Sequence, residues 1–275
     1  MSGFLGGNKE YEVRYGIPRH VTTQAGELTV YLYPGSEDTL FDIFGGGFVT
    51  GCAEYEDGIC AYLQKQTGCT VVACSYYLAP SYRFPVQTEQ VYETVKQLRG
   101  PGRTVLIGHS AGATCAAGVA ALAGRRQEFS VDGVVMNYPL LDLSIDPAER
   151  PRREGNLLKD NTMRGFAMLY LEKDEDALDP VCSPLLLSDG EIGRFPPSYL
   201  LTCSMDNLRS DAIAFARRLR EAGREYVLTE ADAVHGFLEE GMHGWPKSLS
   251  PDKDAALAET EKEARWIARI CGKHQ

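Results

Sequence analysis

Short stretches rich in apolar and β-branched residues recur along the chain, and most of them are separated by longer amphipathic stretches. The short stretches predict strands at residues 12–15, 27–33, 39–44, 70–76, 104–107, 130–137, 197–203 and 225–229. Amphipathic or alanine-rich stretches predict helices at residues 54–67, 86–98, 111–123, 163–171, 211–221 and 255–270.

This alternation of buried strands and helices is typical of an α/β fold. Strands joined through helices of ten or more residues pair in parallel, so we expect one mostly parallel central sheet of about eight strands with helices on both faces. The first two strands predict a hairpin at the sheet edge. The chain, residues 1–275, is therefore predicted to form a single domain. Residues 143–180 exceed what a connection needs, and together with residues 1–20 they are predicted to form a small lid.

Composition narrows the classes of partner. The chain is 44% hydrophobic and 24% charged, with a formal net charge of −10. Nucleic acid and anionic membranes both require a basic surface, so this charge disfavours them as partners. No stretch approaches the roughly 18 apolar residues of a membrane span.

The cysteines and the N-terminal sequence favour a cytoplasmic protein. The eight cysteines form no Cys-x-x-Cys pair and have no histidine at zinc spacing, so we expect reduced core thiols and no metal site. Residues 1–10 lack the basic and apolar regions of a secretory signal.

The motif Gly108-His109-Ser110-Ala111-Gly112 lies between a predicted strand and a predicted helix. A strand that turns sharply into a helix crowds its backbone on both sides of the turn, so glycine is required there. The serine hydroxyl at the apex is exposed to a base, and the helix behind it directs its N–H groups towards negative charge. Ser110 is therefore a candidate nucleophile, whereas His109 is expected to point away and to have a structural role.

Three glycines, Gly45, Gly46 and Gly47, directly follow the predicted strand at residues 39–44. Consecutive glycines let the backbone approach a ligand and expose successive N–H groups, as an oxyanion hole requires. A flexible turn is the alternative interpretation.

A serine nucleophile needs a base and a third group that orients the base. Such groups lie on loops beyond the carboxyl ends of parallel strands, which selects Asp206 and His235. The order serine, aspartate, histidine is that of an α/β-hydrolase triad. Asp206 could instead cap a helix, and Asp211 and Asp232 are rival acids.

With these residues the chain resembles the hormone-sensitive lipase-type branch of the α/β-hydrolase superfamily, which contains many carboxylesterases and acetyl esterases. The resemblance covers nearly the whole chain from about Tyr31. It rests on motifs at residues 45–51, 77–80, 84–85, 108–112, 183–185, 195–197, 206–209, 222–223 and 235–237.

The resemblance implies a serine esterase of short-chain acyl esters that needs no cofactor. Ser110 would attack the ester carbonyl, His235 would transfer the proton and Asp206 would orient His235. The backbone N–H groups of Gly46, Gly47 and Ala111 would form the oxyanion hole. The partner would be a small-molecule ester. The resemblance leaves the oligomeric state open, with a homodimer as one expectation.

One position departs from the family pattern. The family normally has a histidine before the three glycines, and this chain has Phe44. We expect Phe44 either to hold the glycine loop by packing alone or to leave it looser, so the oxyanion geometry and the substrate preference stay open. Activity is still expected, because the donors belong to the backbone.

Two other functions remain open at this stage. The motif at residues 108–112 also resembles the elbow of arylformamidases, which share this fold. A ligand receptor that retains the pocket without catalysis is the other alternative, and Phe44 is its only support.

Overall fold

The computed structural model describes residues 11–273, and its centre is one eight-stranded sheet in the order β1-β2-β4-β3-β5-β6-β7-β8. The strands β1 and β2 and the strands β2 and β4 pair antiparallel, and the remaining pairs are parallel. The strands are β1 Ile17–Thr23, β2 Gly26–Tyr33, β3 Ser36–Ile43, β4 Cys69–Cys74, β5 Thr104–His109, β6 Gly133–Asn137, β7 Ser198–Cys203 and β8 Tyr226–Ala231.

Helices surround this sheet, as the α/β pattern predicts. Helix α1 packs against α8, and α2 packs against α3. The helices are α1 Asp57–Thr67, α2 Val86–Leu98, α3 Ala111–Arg126, α4 Asp160–Tyr170, α5 Asp189–Ile192, α6 Arg209–Glu221, α7 Phe237–Met242 and α8 Lys253–Ile270. Among the described residues, none of the helices combines the length and the apolar character that crossing a bilayer requires. The predicted fold class is confirmed.

The first strand is not where the sequence pattern predicts it. Residues 12–15 form no strand, and the edge hairpin instead pairs Ile17–Thr23 with β2. The backbone N–H groups of Arg14, Tyr15 and Gly16 donate to the carboxylate of Asp57 at 3.1–3.3 Å. A contact with a residue more than forty positions away therefore replaces the ladder that local alternation indicates.

The centre of the sheet is buried on both faces, which explains its continuous apolar runs. Every residue of β5 and β6 is buried. Helix α3 is buried from Ala111 to Ala123, and its small side chains let it pack closely under the turn that connects it to β5. The turn between β5 and α3 thus rests on buried elements.

Of the two predicted lid segments, residues 143–180 contain α4 and two 3-10 turns, at Pro147–Glu149 and Asp174–Leu178. Part of the other segment, residues 1–10, lies outside the described residues, and residues 17–20 belong to β1.

A buried ion pair fastens the start of the 143–180 segment to α6. Arg150 donates from Nε and Nη2 to the two carboxylate oxygens of Asp211 at 3.1 and 3.0 Å, and both side chains are buried. The Arg150 guanidinium also donates to the Ile145 carbonyl, and Asp211 accepts the N–H of Leu141 at 3.0 Å. These bonds fix the segment before it reaches α4.

We predict that Arg150→Met destabilises the protein, because it leaves the Asp211 carboxylate buried without its cation. The expected loss is about 3 kcal/mol, or a fall in Tm of about 6–12 °C. Arg152→Met is the matched control, since Arg152 pairs with Asp160 at the surface and should shift Tm by less than about 2 °C. Thermal unfolding of the three proteins provides the measurement, and equal Tm values for both variants would contradict the prediction.

Candidate active site

Ser110 occupies the sharp turn between β5 and α3. Its backbone has φ 55° and ψ −118°, a left-handed conformation that a non-glycine residue rarely adopts. A Cβ atom on Gly108 would lie 2.2 Å from the Gly112 carbonyl oxygen, and one on Gly112 would lie 2.0 Å from the Ile43 carbonyl oxygen. Both glycines are therefore required by the close approach of β3, β5 and α3.

The three residues selected from the sequence lie in one hydrogen-bonded line. His235 Nε2 lies 2.8 Å from Ser110 Oγ, and His235 Nδ1 lies 2.6 Å from Asp206 Oδ2. Asp206 follows β7 and His235 follows β8, which are adjacent parallel strands. The arrangement can transfer a proton from the serine hydroxyl to the imidazole, because the carboxylate fixes the tautomer of the ring.

The interpretation of Asp206 as a helix cap also describes a real contact. Its Oδ1 accepts the Leu208 N–H at 2.9 Å, while Oδ2 accepts from His235. The rival acids are engaged elsewhere: Asp211 binds Arg150, and Asp232 accepts from the Ser204 hydroxyl at 2.7 Å.

The glycine loop after β3 presents free donors beside Ser110. Among the hydrogen bonds of residues 11–273, the N–H groups of Gly46, Gly47 and Ala111 have no acceptor. Gly46 has φ 105°, and a Cβ there would lie 2.1 Å from the Thr50 carbonyl oxygen. The loop therefore keeps a shape that only glycine permits, and that shape leaves its N–H groups free.

Phe44 does not support this loop by packing alone. Its ring stacks on Tyr76 with centroids 4.1 Å apart and an interplanar angle of 6°. The Tyr76 hydroxyl also donates to the Phe44 carbonyl at 3.0 Å and approaches the Gly45 carbonyl at 3.5 Å. An aromatic pair with one hydroxyl thus supplies both the packing and the hydrogen bond under the loop.

A small apolar cavity adjoins Ser110. Its volume is about 40 Å³, and six of its lining residues come from the 143–180 segment: Leu143, Leu158, Met163, Phe166, Ala167 and Tyr170. The Phe166 ring covers the loop so closely that a Cβ on Gly47 would lie 2.4 Å from it. None of residues 11–20 lines the cavity.

The sequence did not indicate the buried charged cluster behind Ser110. His109 Nε2 lies 3.0 Å from Asp42 Oδ1, and its Nδ1 lies 4.0 Å from Glu239. Burial lowers the pKa of His109, but the charges of Asp42, Glu56 and Glu239 raise it more, so the pKa lies well above its ordinary value. His109 thus points away from the cavity, as expected, and the surrounding carboxylates favour the charged form of its imidazole.

The ligand atoms of Asp42, Glu56 and His109 lie within 4.8 Å of one another, and one Glu56 oxygen has no hydrogen-bond partner among the described residues. Carboxylate oxygens and imidazole nitrogens are common ligands of metal ions. The direct bond between His109 and Asp42, however, already occupies the two best-placed ligand atoms.

Glu239 connects this cluster to His235. Its carboxylate accepts from the Tyr138 hydroxyl, and the Tyr138 ring lies edge-on to the His235 imidazole with centroids 4.9 Å apart. Burial lowers the pKa of His235, whereas the charge and hydrogen bond of Asp206 and the charge of Glu239 raise it above 6.5 overall.

Known proteins similar to this chain were compared with it by sequence and by structure. The sequence model of a family described as alpha/beta hydrolase fold matches residues 40–239. An ethyl acetate hydrolase of Pseudomonas putida is 32% identical over 240 residues, which cover 80% of this chain and 75% of that protein. An arylesterase of Saccharolobus solfataricus is 27% identical over 77% of this chain and 73% of that protein.

A solved esterase structure is also similar to this chain. A thermophilic carboxylesterase cloned from a metagenomic library superposes with a TM-score of 0.81 at 26% identity, covering 96% of this chain and 91% of that one.

We predict that Glu239→Gln lowers the pKa of His235 by about half a unit, because it removes one of the negative charges that favour the imidazolium. The measurement is an NMR titration of the assigned His235 ring signals. Glu240→Gln is the matched control, because Glu240 is exposed and bonds Tyr55 instead. An unchanged His235 pKa in Glu239→Gln would exclude this coupling.

Proposed function

Because the chain belongs to the alpha/beta hydrolase fold family, in its hormone-sensitive lipase-like branch of carboxylesterases, we propose that Ser110, His235 and Asp206 are its catalytic triad. The chain is a carboxylic ester hydrolase. The observation that carries the residue assignment is the unbroken line of contacts from Asp206 through His235 to Ser110 Oγ, at 2.6 and 2.8 Å.

In this mechanism Ser110 Oγ attacks the ester carbonyl while His235 Nε2 accepts its proton. The tetrahedral intermediate collapses, the alcohol leaves with the proton from His235, and an acyl-serine remains. Water then attacks the acyl group through the same base. Asp206 holds Nδ1 protonated throughout and stabilises the imidazolium.

The oxyanion hole in this proposal consists of the N–H groups of Gly46, Gly47 and Ala111. These groups have no other acceptor among the described residues, and Ala111 begins α3, so the helix N-terminus adds its dipole. Loss of one such donor typically costs about 3 kcal/mol of transition-state stabilisation.

The acyl group is proposed to be short. The cavity beside Ser110 is small, about 40 Å³, and the relative from Pseudomonas putida is named for hydrolysis of an acetate ester. Residues 143–180 act in this proposal as the lid, since they contribute half of the residues that line the cavity. The lid role of residues 1–20 has no such support among the described residues.

A cytoplasmic location forms part of the proposal. It rests on the eight cysteines, which are all free, as in a reducing compartment.

The test is hydrolysis of nitrophenyl acetate, butyrate and octanoate by the purified protein. We expect kcat/KM to fall with the length of the acyl chain, and we expect Ser110→Ala to lower kcat/KM at least about 10³-fold.

Phe166→Ala should raise the ratio of kcat/KM for the octanoate ester to kcat/KM for the acetate ester about tenfold, since it opens the cavity wall. Met168→Ala is the matched control, because Met168 lies on the same helix but is 76% exposed.

Two outcomes would overturn parts of this proposal. Undiminished turnover by Ser110→Ala would refute the assignment of the nucleophile. Octanoate as the best substrate of the unaltered protein would refute the short-chain preference. An aryl formamide belongs in the same series, and we expect slower hydrolysis of it than of the acetate.

A second prediction concerns the support of the oxyanion loop. Tyr76→Phe removes the bond to the Phe44 carbonyl while keeping the ring stack, so kcat should fall about 3- to 10-fold with little change in KM. Tyr77→Phe is the control, because the Tyr77 hydroxyl bonds the Glu27 carbonyl at the surface. A rise in KM at constant kcat would indicate a role in substrate binding instead.

A further inference from the structure

Two cysteine sulfurs meet near the amino-terminal ends of the parallel strands, at the opposite end of the sheet from Ser110. Cys69 begins β4 and Cys271 directly follows α8, and their Sγ atoms lie 3.8 Å apart. This is the distance of a hydrogen bond between sulfurs, and both thiols are free. Residues 202 positions apart in sequence are thus in direct contact.

A lysine is fixed beside this pair. Lys273 Nζ lies 3.1 Å from Cys69 Sγ, 2.8 Å from Ser36 Oγ and 3.1 Å from the Thr67 carbonyl oxygen. It also lies 3.3 Å from Asp38 Oδ2. The ammonium therefore has a fixed position against the sulfur, where its charge favours a thiolate.

The contact between the two sulfurs lowers the pKa of one of them. The pKa of Cys69 falls to about 6, because the hydrogen bond with Cys271 and, to a smaller extent, the hydrogen bonds of Thr67 and Lys273 and the charge of Lys273 outweigh the effect of burial. The pKa of Cys271 is raised by the same partner. By contrast, burial raises the pKa of Cys115 to about 12, which keeps that thiol unreactive. The contact between the sulfurs and the ammonium beside Cys69 therefore favour one thiolate next to one thiol.

We propose that Cys69 and Cys271 are a peroxide-sensitive dithiol that oxidises to a disulfide between the end of α8 and the start of β4. Cys271 is partly exposed and Cys69 is buried, so the peroxide meets Cys271 first. This requires the sulfurs to approach by less than 2 Å from their separation of 3.8 Å.

The reaction balances with hydrogen peroxide as the oxidant. Once its proton has passed to Cys69, the Cys271 sulfur attacks one peroxide oxygen, the O–O bond breaks and hydroxide leaves. The Cys69 sulfur then attacks the sulfenic sulfur of Cys271, its proton leaves with the departing hydroxide as water, and the S–S bond forms. The pair gives up two electrons, and the peroxide becomes one water and one hydroxide.

A metal ion is the alternative occupant of this place, because Asp38, Cys69 and Cys271 have ligand atoms within 4.8 Å of one another. The Lys273 ammonium disfavours it, since a cation would have to displace that charge from the Cys69 sulfur. Oxidation needs no such displacement.

The disulfide would stabilise the fold without a contact to the residues around Ser110. It closes a loop of about two hundred residues, which greatly restricts the unfolded chain. The parallel strands begin at the end of the sheet where the two cysteines lie, and they end at the opposite end, where Ser110 lies. Oxidation should therefore raise Tm by about 5–15 °C and leave kcat/KM for nitrophenyl acetate within about twofold.

The experiment treats the folded protein with hydrogen peroxide, then counts thiols and maps disulfides by mass spectrometry of a non-reduced digest. We expect two thiols fewer, one peptide pair joined through Cys69 and Cys271, and reversal by dithiothreitol. A full thiol count, a different pairing, or a disulfide between two copies of the chain would overturn the proposal.

Variants separate the pair from general oxidation. Cys69→Ser and Cys271→Ser should each abolish the gain in Tm, whereas Cys52→Ser, which removes the other partly exposed thiol, should retain it. Lys273→Met should slow disulfide formation about 3- to 10-fold, since less of the pair is then ionised. A gain in Tm that persists in Cys271→Ser would refute the assignment.

Discussion

The site depends on the close approach of three backbone segments at the carboxyl ends of β3 and β5. Gly112 at the start of α3 lies against the carbonyl groups of Ile43 and Phe44, with no room for a side chain. This contact forces the loop after β3 and the turn at Ser110 to be neighbours, so the nucleophile and the N–H groups of the glycine loop face the same small volume. Because both are parts of the main chain or rigidly joined to it, their relative position does not depend on flexible side chains.

A layer of buried polar side chains lies beneath the Ser110 turn, although a hydrophobic core would not require it. His109 lies buried beside Asp42, and Glu239 extends the layer through Tyr138 to the edge of His235. Buried charges are costly unless they are paired, and here the pairing joins the ends of strands to helix α7. The layer therefore connects the turn that carries Ser110 to the charges around His235.

The fold class and most elements could be predicted from the sequence, because buried parallel strands are continuous apolar runs and the helices are long. The candidate triad could be predicted because its members follow specific strands in a specific order. The local pattern failed where distant contacts decide, since Arg14, Tyr15 and Gly16 bind the Asp57 carboxylate and residues 12–15 form no strand. It also missed the helix α7, which is too short to show a helical period. Asp42, which bonds His109, is also tens of residues away from it in the sequence, and so is Tyr76 from Phe44.

The support under the glycine loop shows which part of a sequence signature is chemically required. The groups that would contact an oxyanion belong to the backbone, and the side chains beneath them only hold its shape. In this chain Phe44 and Tyr76 divide that task between a ring stack and a hydroxyl. A signature that demands histidine before the three glycines would exclude this chain, although it keeps the loop. The conformation of the glycines, and not the identity of the residue before them, therefore meets the chemical requirement.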